Sequence, residues 1–128
     1  MDGNKRNFTG ALGEIYASRF LRENGFRILS ANYRTRMGEI DIAAFDGDTV
    51  VFAEVKTRGE NMTGTPAEAV TEEKIKKLTS AALLYMRSVK GLLPVRSYRF
   101  DVIEVYVDKD NALKRINHIK SAFEASVD

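Results

Sequence analysis

Four side chains that could bind a cation or move a proton lie within one short stretch of the chain. Glu39, Asp41, Glu54 and Lys56 fall in two strand-like segments joined by an Asp-Gly turn. Carboxylates on otherwise apolar strands are costly to bury unless something compensates their charge. A divalent metal ion and a lysine would provide that compensation, and together they suit the cleavage of a phosphodiester bond. The pattern therefore indicates hydrolytic chemistry at a metal centre.

The spacing of these residues predicts a β-hairpin. Residues 38–45 and 49–57 alternate with the two-residue period of a strand, and the second segment is rich in β-branched residues. Asp46-Gly47 lies between them and is a strong signal for a two-residue type I′ turn, which needs positive φ at both central positions. The chain is therefore expected to fold back on itself here.

Two registers of this hairpin keep the four candidate residues on one face of the sheet. A turn at Asp46-Gly47 sets Glu39 opposite Glu54, with Asp41 diagonal to Glu54. A longer loop of about four residues sets Asp41 directly opposite Glu54 instead. Opposed or diagonal side chains lie about 5 to 8 Å apart, which is close enough for two carboxylates to share one ion. A slip of one residue would separate them.

These residue types match the needs of a hard cation and of an attacking water. Mg²⁺ takes oxygen ligands and keeps several waters, so that few protein ligands suffice. Asp41 and Glu54 would supply two oxygens, and the main-chain carbonyl of Val55 could supply a third. Lys56 could orient or deprotonate the attacking water, or stabilise charge on the phosphate, because a buried lysine can have its pKa lowered far enough to act as a base.

The order of these residues resembles a known signature. Asp41, followed by Glu54-Val55-Lys56 on the next strand, resembles the Asp…Glu/Asp-x-Lys signature of the restriction-endonuclease-like superfamily, although Ile40 stands where that signature has a proline. More narrowly, nearly the whole chain resembles the YraN family of small bacterial predicted nucleases. The motifs that carry this resemblance are Gly13-Glu14, Asn32-Tyr33-Arg34, Gly38-Glu39-Ile40-Asp41, Glu54-Val55-Lys56-Thr57-Arg58, Arg99-Phe100-Asp101-Val102 and the segment from His118-Ile119 to Ala122-Phe123.

The resemblance implies an α/β fold, with a restriction-endonuclease-like mixed β-sheet flanked by helices, and a Mg²⁺- or Mn²⁺-dependent endonuclease acting on DNA. Cleavage would leave a 5′-phosphate and a 3′-hydroxyl. The layout is also similar to archaeal Holliday-junction resolvases, which implies branched DNA as one substrate. Glu14 would be a further metal ligand or a supporting acid, the alternative being a solvent-facing helix acid. Glu39 would bind the metal directly or hydrogen-bond a neighbouring lysine or arginine.

Basic residues flank the acidic strip. Residues 1–36 carry seven basic and three acidic side chains, a net charge of +4, whereas residues 37–60 carry two basic and six acidic ones, a net charge of −4. An acidic site bordered by cations suits an enzyme that acts on a polyanion, although a solvated surface with ordinary charge mixing is the simpler reading. The candidate phosphate contacts are Arg34, Arg36 and Arg58, with Lys74 and Lys77 at the start of the second helix.

The composition of the chain limits which other kinds of functional site it can carry. The chain has 128 residues, of which 44% are hydrophobic. This length and composition predict a single domain over residues 1–128 with its own hydrophobic core. The chain has no cysteine and one histidine, His118, which argues against disulfides, thiolate zinc sites and histidine-based triads. No apolar run approaches the ~20 residues of a membrane span, and no leader-like segment opens the chain, so a cytoplasmic location is the default expectation.

Helices and strands are predicted to alternate along the chain. A first helix over 9–23 ends at Asn24-Gly25, and a second over 72–90 ends at Gly91. Strands are expected over 26–36, in the hairpin, over 97–107 and over 112–119, with a polar loop over 58–64 and a tail over 120–128 that is helical or frayed. Apolar residues on both faces of the strands favour a mixed sheet covered by helices.

Several residues and functions keep alternatives. Asp101 is expected to pair with Arg99 on its own strand rather than to act in catalysis, and His118 to pack or hydrogen-bond near the tail. The chain could also be a nucleic-acid-binding module that has lost turnover, or an assembly factor with an incidental acidic strip. A junction enzyme needs two active sites, and a chain this small carries one. The chain could therefore act as a homodimer or together with a protein partner.

Overall fold

The computed structural model describes residues 2–59 and 70–126, with residues 2–9 described by backbone alone, and it shows a five-stranded mixed sheet flanked by two helices. The elements are α1 (Asp2–Glu23), β1 (Arg27–Arg34), β2 (Glu39–Asp46), β3 (Thr49–Gly59), α2 (Glu72–Val89), β4 (Ser97–Val107) and β5 (Leu113–Phe123). The strands lie in chain order, all neighbours antiparallel except β3 and β4, which are parallel. The α/β architecture confirms the predicted fold class and is consistent with a restriction-endonuclease-like fold.

Alternate residues of the strands pack against different helices. Because side chains along a strand point to opposite faces, the central strands are covered on both sides. The two core clusters are one with α1 (Ala17, Leu21, Ile42, Ala44, Val51, Ala53, Ile103 and Val105) and one with α2 (Ile40, Ala43, Val50, Phe52, Leu78, Ala81, Ala82, Tyr85 and Phe100). Within the described ranges, neither helix is long and apolar enough to cross a membrane. Charged groups at the ends of such strands are therefore exceptional and are candidates for function.

The hairpin between β2 and β3 adopts the second of the two predicted registers. Asp46 pairs with Thr49, and the pairing runs to Ile42 and Ala53, one step before Asp41 and Glu54. The turn is therefore formed by Gly47-Asp48, and the prediction of an Asp46-Gly47 turn was wrong by one residue. Only Gly47 of this turn has a positive φ, 67°, which a glycine in the first central position supplies without the strain that a side chain would bring.

Three element boundaries also differ from the prediction. The first helix begins at Asp2 rather than near residue 9, since a helix once formed extends at little cost. β3 runs to Gly59, so Arg58 lies in a strand rather than in a loop, because it pairs with Tyr106 of β4; residues 60–64 of the predicted loop lie outside the described residues. β5 continues to 123 instead of ending at 119, since Phe123 still pairs with β4.

A buried carboxylate fixes β5 to the sheet. Asp101 is 0% exposed and accepts hydrogen bonds from Arg99 Nε (3.0 Å) and from the main-chain N–H of Ser121 (2.9 Å). His118 Nε2 lies 2.8 Å from its other oxygen. Burial alone would raise the pKa of Asp101, but the hydrogen bonds with His118 and Arg99 outweigh burial and hold that pKa below its usual range. The predicted pairing of Asp101 and the hydrogen-bonding role of His118 are confirmed.

Candidate active site

The centre of the candidate site is the carboxylate of Glu54, near the middle of β3. The residue is only 7% exposed, and its Oε1 lies 2.5 Å from Lys74 Nζ and 3.4 Å from Lys56 Nζ. Lys56 is two residues further along the same strand and hence on the same face. Lys74 comes from the first turn of α2, where its main-chain N–H donates to the Thr71 side chain that caps the helix. The start of α2 is thus held against Glu54 in the middle of β3.

Asp41 reaches the same place from β2. Its carboxylate lies close enough to Glu54 for the charge of Glu54 to act on its ionisation. There the main-chain N–H of Val55 donates a hydrogen bond of 2.9 Å to Asp41 Oδ2. The two acids that the sequence singled out therefore come together. The contact at Val55 shown by the structure is made by its N–H, whereas the sequence pointed to its carbonyl oxygen as a metal ligand.

The proximity of the two acids alters their ionisation. Burial, and next the charge of Glu54, raise the pKa of Asp41 from 3.8 to about 7, while the hydrogen bond from Val55 opposes the rise. A carboxyl group with such a pKa holds its proton over much of the acidic range and loses it near neutrality. A cation bound beside Asp41 and Glu54 would favour their ionised forms and would relieve the repulsion between them.

The two lysines at Glu54 differ in how readily they hold a proton. Burial lowers the pKa of Lys56, and its hydrogen bond with Lys74 lowers it further, against the opposing effect of Glu54. Burial also acts to lower the pKa of Lys74, but the hydrogen bonds with Glu54 and Lys56 outweigh burial and the pKa is raised. Lys74 is therefore the firmly charged partner of Glu54, and Lys56 is the amine better suited to accept a proton.

A third acid approaches from α1. Gly13 lies against Thr57 of β3 so closely that a β-carbon at residue 13 would overlap the threonine hydroxyl, and this contact sets the depth of the helix. The next residue, Glu14, is half-buried, and burial raises its pKa together with the charges of Glu39 and Glu54, against a hydrogen bond with Asn32 that lowers it. Glu14 therefore belongs to the acidic group that contains Asp41 and Glu54.

The remaining predicted residues lie around this group rather than in it. Glu39 is exposed and forms an ion pair with Arg34, 3.7 Å from oxygen to nitrogen. Arg36 is exposed in the turn that follows β1. Arg58 donates a hydrogen bond of 3.0 Å from Nε to the buried Glu104. On the outer face of α2, Lys77 pairs with Glu73 one turn away, 3.7 Å from nitrogen to oxygen.

The donor set fits a hard, oxygen-preferring divalent cation better than a zinc ion held by four protein ligands. Within residues 2–59 and 70–126, no three His, Cys, Asp or Glu side chains converge in a way that would enclose a metal ion. Asp41 and Glu54 form an adjacent pair whose charges repel, as the raised pKa of Asp41 records. Mg²⁺ and Mn²⁺ accept two carboxylates and complete their shell with waters, whereas structural zinc requires four protein ligands.

Sequence reasoning missed several contacts in and around this site. It assigned Lys74 to phosphate rather than to Glu54, and it did not foresee that Arg58 and Asn117 would both hydrogen-bond Glu104. It also gave no role to Asn32, whose φ of 55° accompanies its contact with Glu14. The available signal for Lys74 was its place in the first turn of α2, the helix that comes next after β3 in the chain.

Comparison with known proteins shows that most of the chain is similar to one protein family. The model of the "Uncharacterised protein family UPF0102" matches residues 13–105, a range that contains Glu14, Asp41, Glu54, Lys56 and Lys74. Proteins named "UPF0102 protein" from Syntrophomonas wolfei and Alkaliphilus oremlandii are 43% and 45% identical over 114 residues, covering 89% of this chain and 96% of theirs. One from Caldicellulosiruptor saccharolyticus is 43% identical over 120 residues, covering 94% of this chain and 99% of its own.

Proposed function

Because the chain belongs to the uncharacterised protein family UPF0102, the YraN family, we propose a function from its own geometry: a metal-dependent endonuclease that hydrolyses phosphodiester bonds in DNA. The observation that carries the proposal is the proximity of Asp41 and Glu54 on adjacent strands, with the Lys56 amine 3.4 Å from Glu54. Two carboxylates can hold a metal ion, and a lysine can act as the general base for a water that the ion activates.

Each residue then has a defined role. A Mg²⁺ or Mn²⁺ ion held by Asp41 and Glu54 would supply charge stabilisation at the phosphate and a water of lowered pKa. Lys56 orients the attacking water and accepts its proton, a role that its lowered pKa favours. The water oxygen forms a bond to phosphorus as the bond from phosphorus to O3′ breaks, and the departing O3′ takes a proton from solvent, which leaves a 5′-phosphate and a 3′-hydroxyl. Glu14 adds negative charge beside the pair, as a further ligand or as a supporting acid.

The surface around the site supports a polyanionic substrate. Arg34, whose charge acts on Glu14, and Arg36 are both exposed and would contact the backbone phosphates, as would Arg58 once released from Glu104. Such contacts recognise the backbone of a nucleic acid rather than its sequence. We propose branched or junction DNA as one substrate, a homodimer to supply the two sites that a junction needs, and a cytoplasmic location.

The test is cleavage of labelled single-stranded, duplex and four-way-junction DNA with Mg²⁺ or Mn²⁺. Asp41→Asn, Glu54→Gln and Lys56→Met should each lower the rate by about a hundredfold or more. Glu73→Gln, which removes an exposed acid from the same helix as Lys74, serves as the matched control and should cleave like the wild-type chain. Equal cleavage by all variants would reveal a contaminating nuclease and would count against the proposal.

A second function is favoured by one observation. Lys74 already neutralises Glu54, and no three-ligand metal group lies within the described residues. Such a site could serve a non-catalytic nucleic-acid-binding module or an assembly factor that retains the fold. Tight DNA binding without cleavage under either metal would favour the binding module, and the loss of both metal binding and salt-dependent DNA binding would favour the assembly factor.

A further inference from the structure

The Lys74 amine occupies one oxygen of the carboxylate that would bind a cation. Its Nζ is 2.5 Å from Oε1 of Glu54, whose side chain is only 8% exposed, and Lys56 contacts the same oxygen. A divalent ion on this carboxylate, even on Oε2, would lie within a few ångströms of the ammonium group, and at that distance the repulsion between two cations is poorly screened in a buried site. Lys74 and a metal ion therefore compete for Glu54.

We propose that Lys74 is the internal counter-ion of the metal site, which neutralises Glu54 in the metal-free chain and must leave Glu54 when the metal binds. This inference rests on the proposed function, because it presumes that Asp41 and Glu54 take up a divalent ion. In this view Lys74 first pairs with the Glu54 carboxylate and regulates metal binding there. The phosphate contact expected from the sequence would follow only after Lys74 is released.

Geometry selects Lys74 rather than Lys56 for this role. The Lys74 side chain is 38% exposed, against 21% for Lys56, so its amine can turn into solvent without crossing the core. Lys74 belongs to the first turn of a surface helix and makes the shorter of the two contacts with Glu54. A released Lys74 stays within one side-chain length of the carboxylates, where it can meet a substrate phosphate. Metal binding would then favour DNA binding, and by linkage DNA would favour metal binding.

The experiment measures Mn²⁺ affinity of the metal-free protein, by calorimetry and by the electron paramagnetic resonance signal of free Mn²⁺, above the pKa of Asp41. Lys74→Met should bind Mn²⁺ about tenfold to a hundredfold more tightly than the wild-type chain, because a charge-assisted hydrogen bond no longer competes. Lys90→Met is the control, since it removes an equivalent charge from an exposed residue at the far end of the same helix. It should leave the affinity unchanged, and Lys74→Arg, which keeps the charge, should stay near wild type.

A second measurement uses the wild-type chain, so it tests the inference even if Lys74→Met does not fold. In a lysine side-chain ¹⁵N NMR titration of the wild-type chain with Mg²⁺, the Lys74 amine should move to the position of solvent-exposed lysines, with Lys74→Arg used for assignment. An unmoved signal at saturation would overturn the inference.

The outcomes separate this inference from the function on which it rests. Equal or weaker Mn²⁺ binding by Lys74→Met, with wild type binding normally and Asp41→Asn not binding, overturns the role of Lys74 and leaves the nuclease proposal intact. The absence of Mn²⁺ binding in both wild type and Lys74→Met removes the metal site itself, and both proposals fail together.

Discussion

The replacement of Asp41 by asparagine should stabilise the metal-free protein at neutral and alkaline pH. The pKa of Asp41 is raised from 3.8 to about 7, chiefly by burial and then by the charge of Glu54. A carboxyl group whose pKa is raised on folding contributes stability that is fully present below its unfolded pKa and is lost as the pH rises through the folded value. Asparagine removes the charge and retains an oxygen that can accept the Val55 N–H.

The size of the effect follows from the shift. A difference of about three pKa units corresponds to about 4 kcal/mol at pH values above the folded pKa, and this is an upper bound. Solvent screening and the neighbouring lysines reduce it, so we expect Asp41→Asn to gain about 2 kcal/mol at about pH 8. For a domain of this size that gain corresponds to a rise of about 5 to 10 °C in the melting temperature.

The assay is urea denaturation in the presence of a chelator, at about pH 4 and about pH 8. The advantage of Asp41→Asn should be large at the higher pH and small at the lower one, where Asp41 is protonated in the folded chain and roughly half protonated in the unfolded chain. Mg²⁺ should stabilise the wild type and leave the variant unchanged, because binding to the folded state alone adds stability.

The control for this experiment is Asp110→Asn, at an exposed turn residue, which should change stability little at either pH. A variant no more stable than wild type at about pH 8 would refute the reasoning. An advantage of equal size at both pH values would refute it too, since the gain would then not come from removal of the Asp41 charge.

Three further predictions concern packing and the buried carboxylate. Gly13→Ala should destabilise the fold by about 2 kcal/mol in urea, because its β-carbon overlaps the Thr57 hydroxyl, and Thr57→Ala in the same chain should recover part of the loss; no recovery would place the strain elsewhere. Gly38→Ala should lower the melting temperature, because its β-carbon would lie 2.6 Å from the carbonyl oxygen of Lys77; an unchanged value would show that α2 can move aside. Asp101→Asn should cost about 3 kcal/mol or more at neutral pH, because Asp101 is buried among its donors, and the loss should shrink in acid, since a lowered pKa gives stability that disappears as the pH falls through it; a pH-independent loss would contradict this.

Much of the sheet and part of the site could be predicted because they depend on local patterns. The strand over 97–107 matches β4 at both ends, and the second helix was predicted to within one residue. The grouping of Asp41, Glu54 and Lys56 required only the alternation of two strands and a tight turn between them. These features are decided by residues a few positions apart, which the sequence displays directly.

Predictions failed where an element depends on a partner distant in the chain. Arg58 was expected in a loop because its neighbours are polar, yet pairing with Tyr106 keeps it in the strand. The last strand was expected to end at 119, yet Phe123 still pairs with Phe100 across a bulge. No local pattern encodes such a pairing, since its hydrogen bonds come from another strand.

The sequence by itself determined which residues form the acidic pair and that a lysine lies beside it, because strand periodicity places them on one face. Only the tertiary structure decided that Lys74 contacts Glu54, that Glu14 joins the acids, and that Asp41 acquires a pKa of about 7. These properties arise where α1 and α2 pack on opposite sides of the sheet. They depend on the depth and direction of that packing, and on the burial that it produces, which the order of residues does not specify locally.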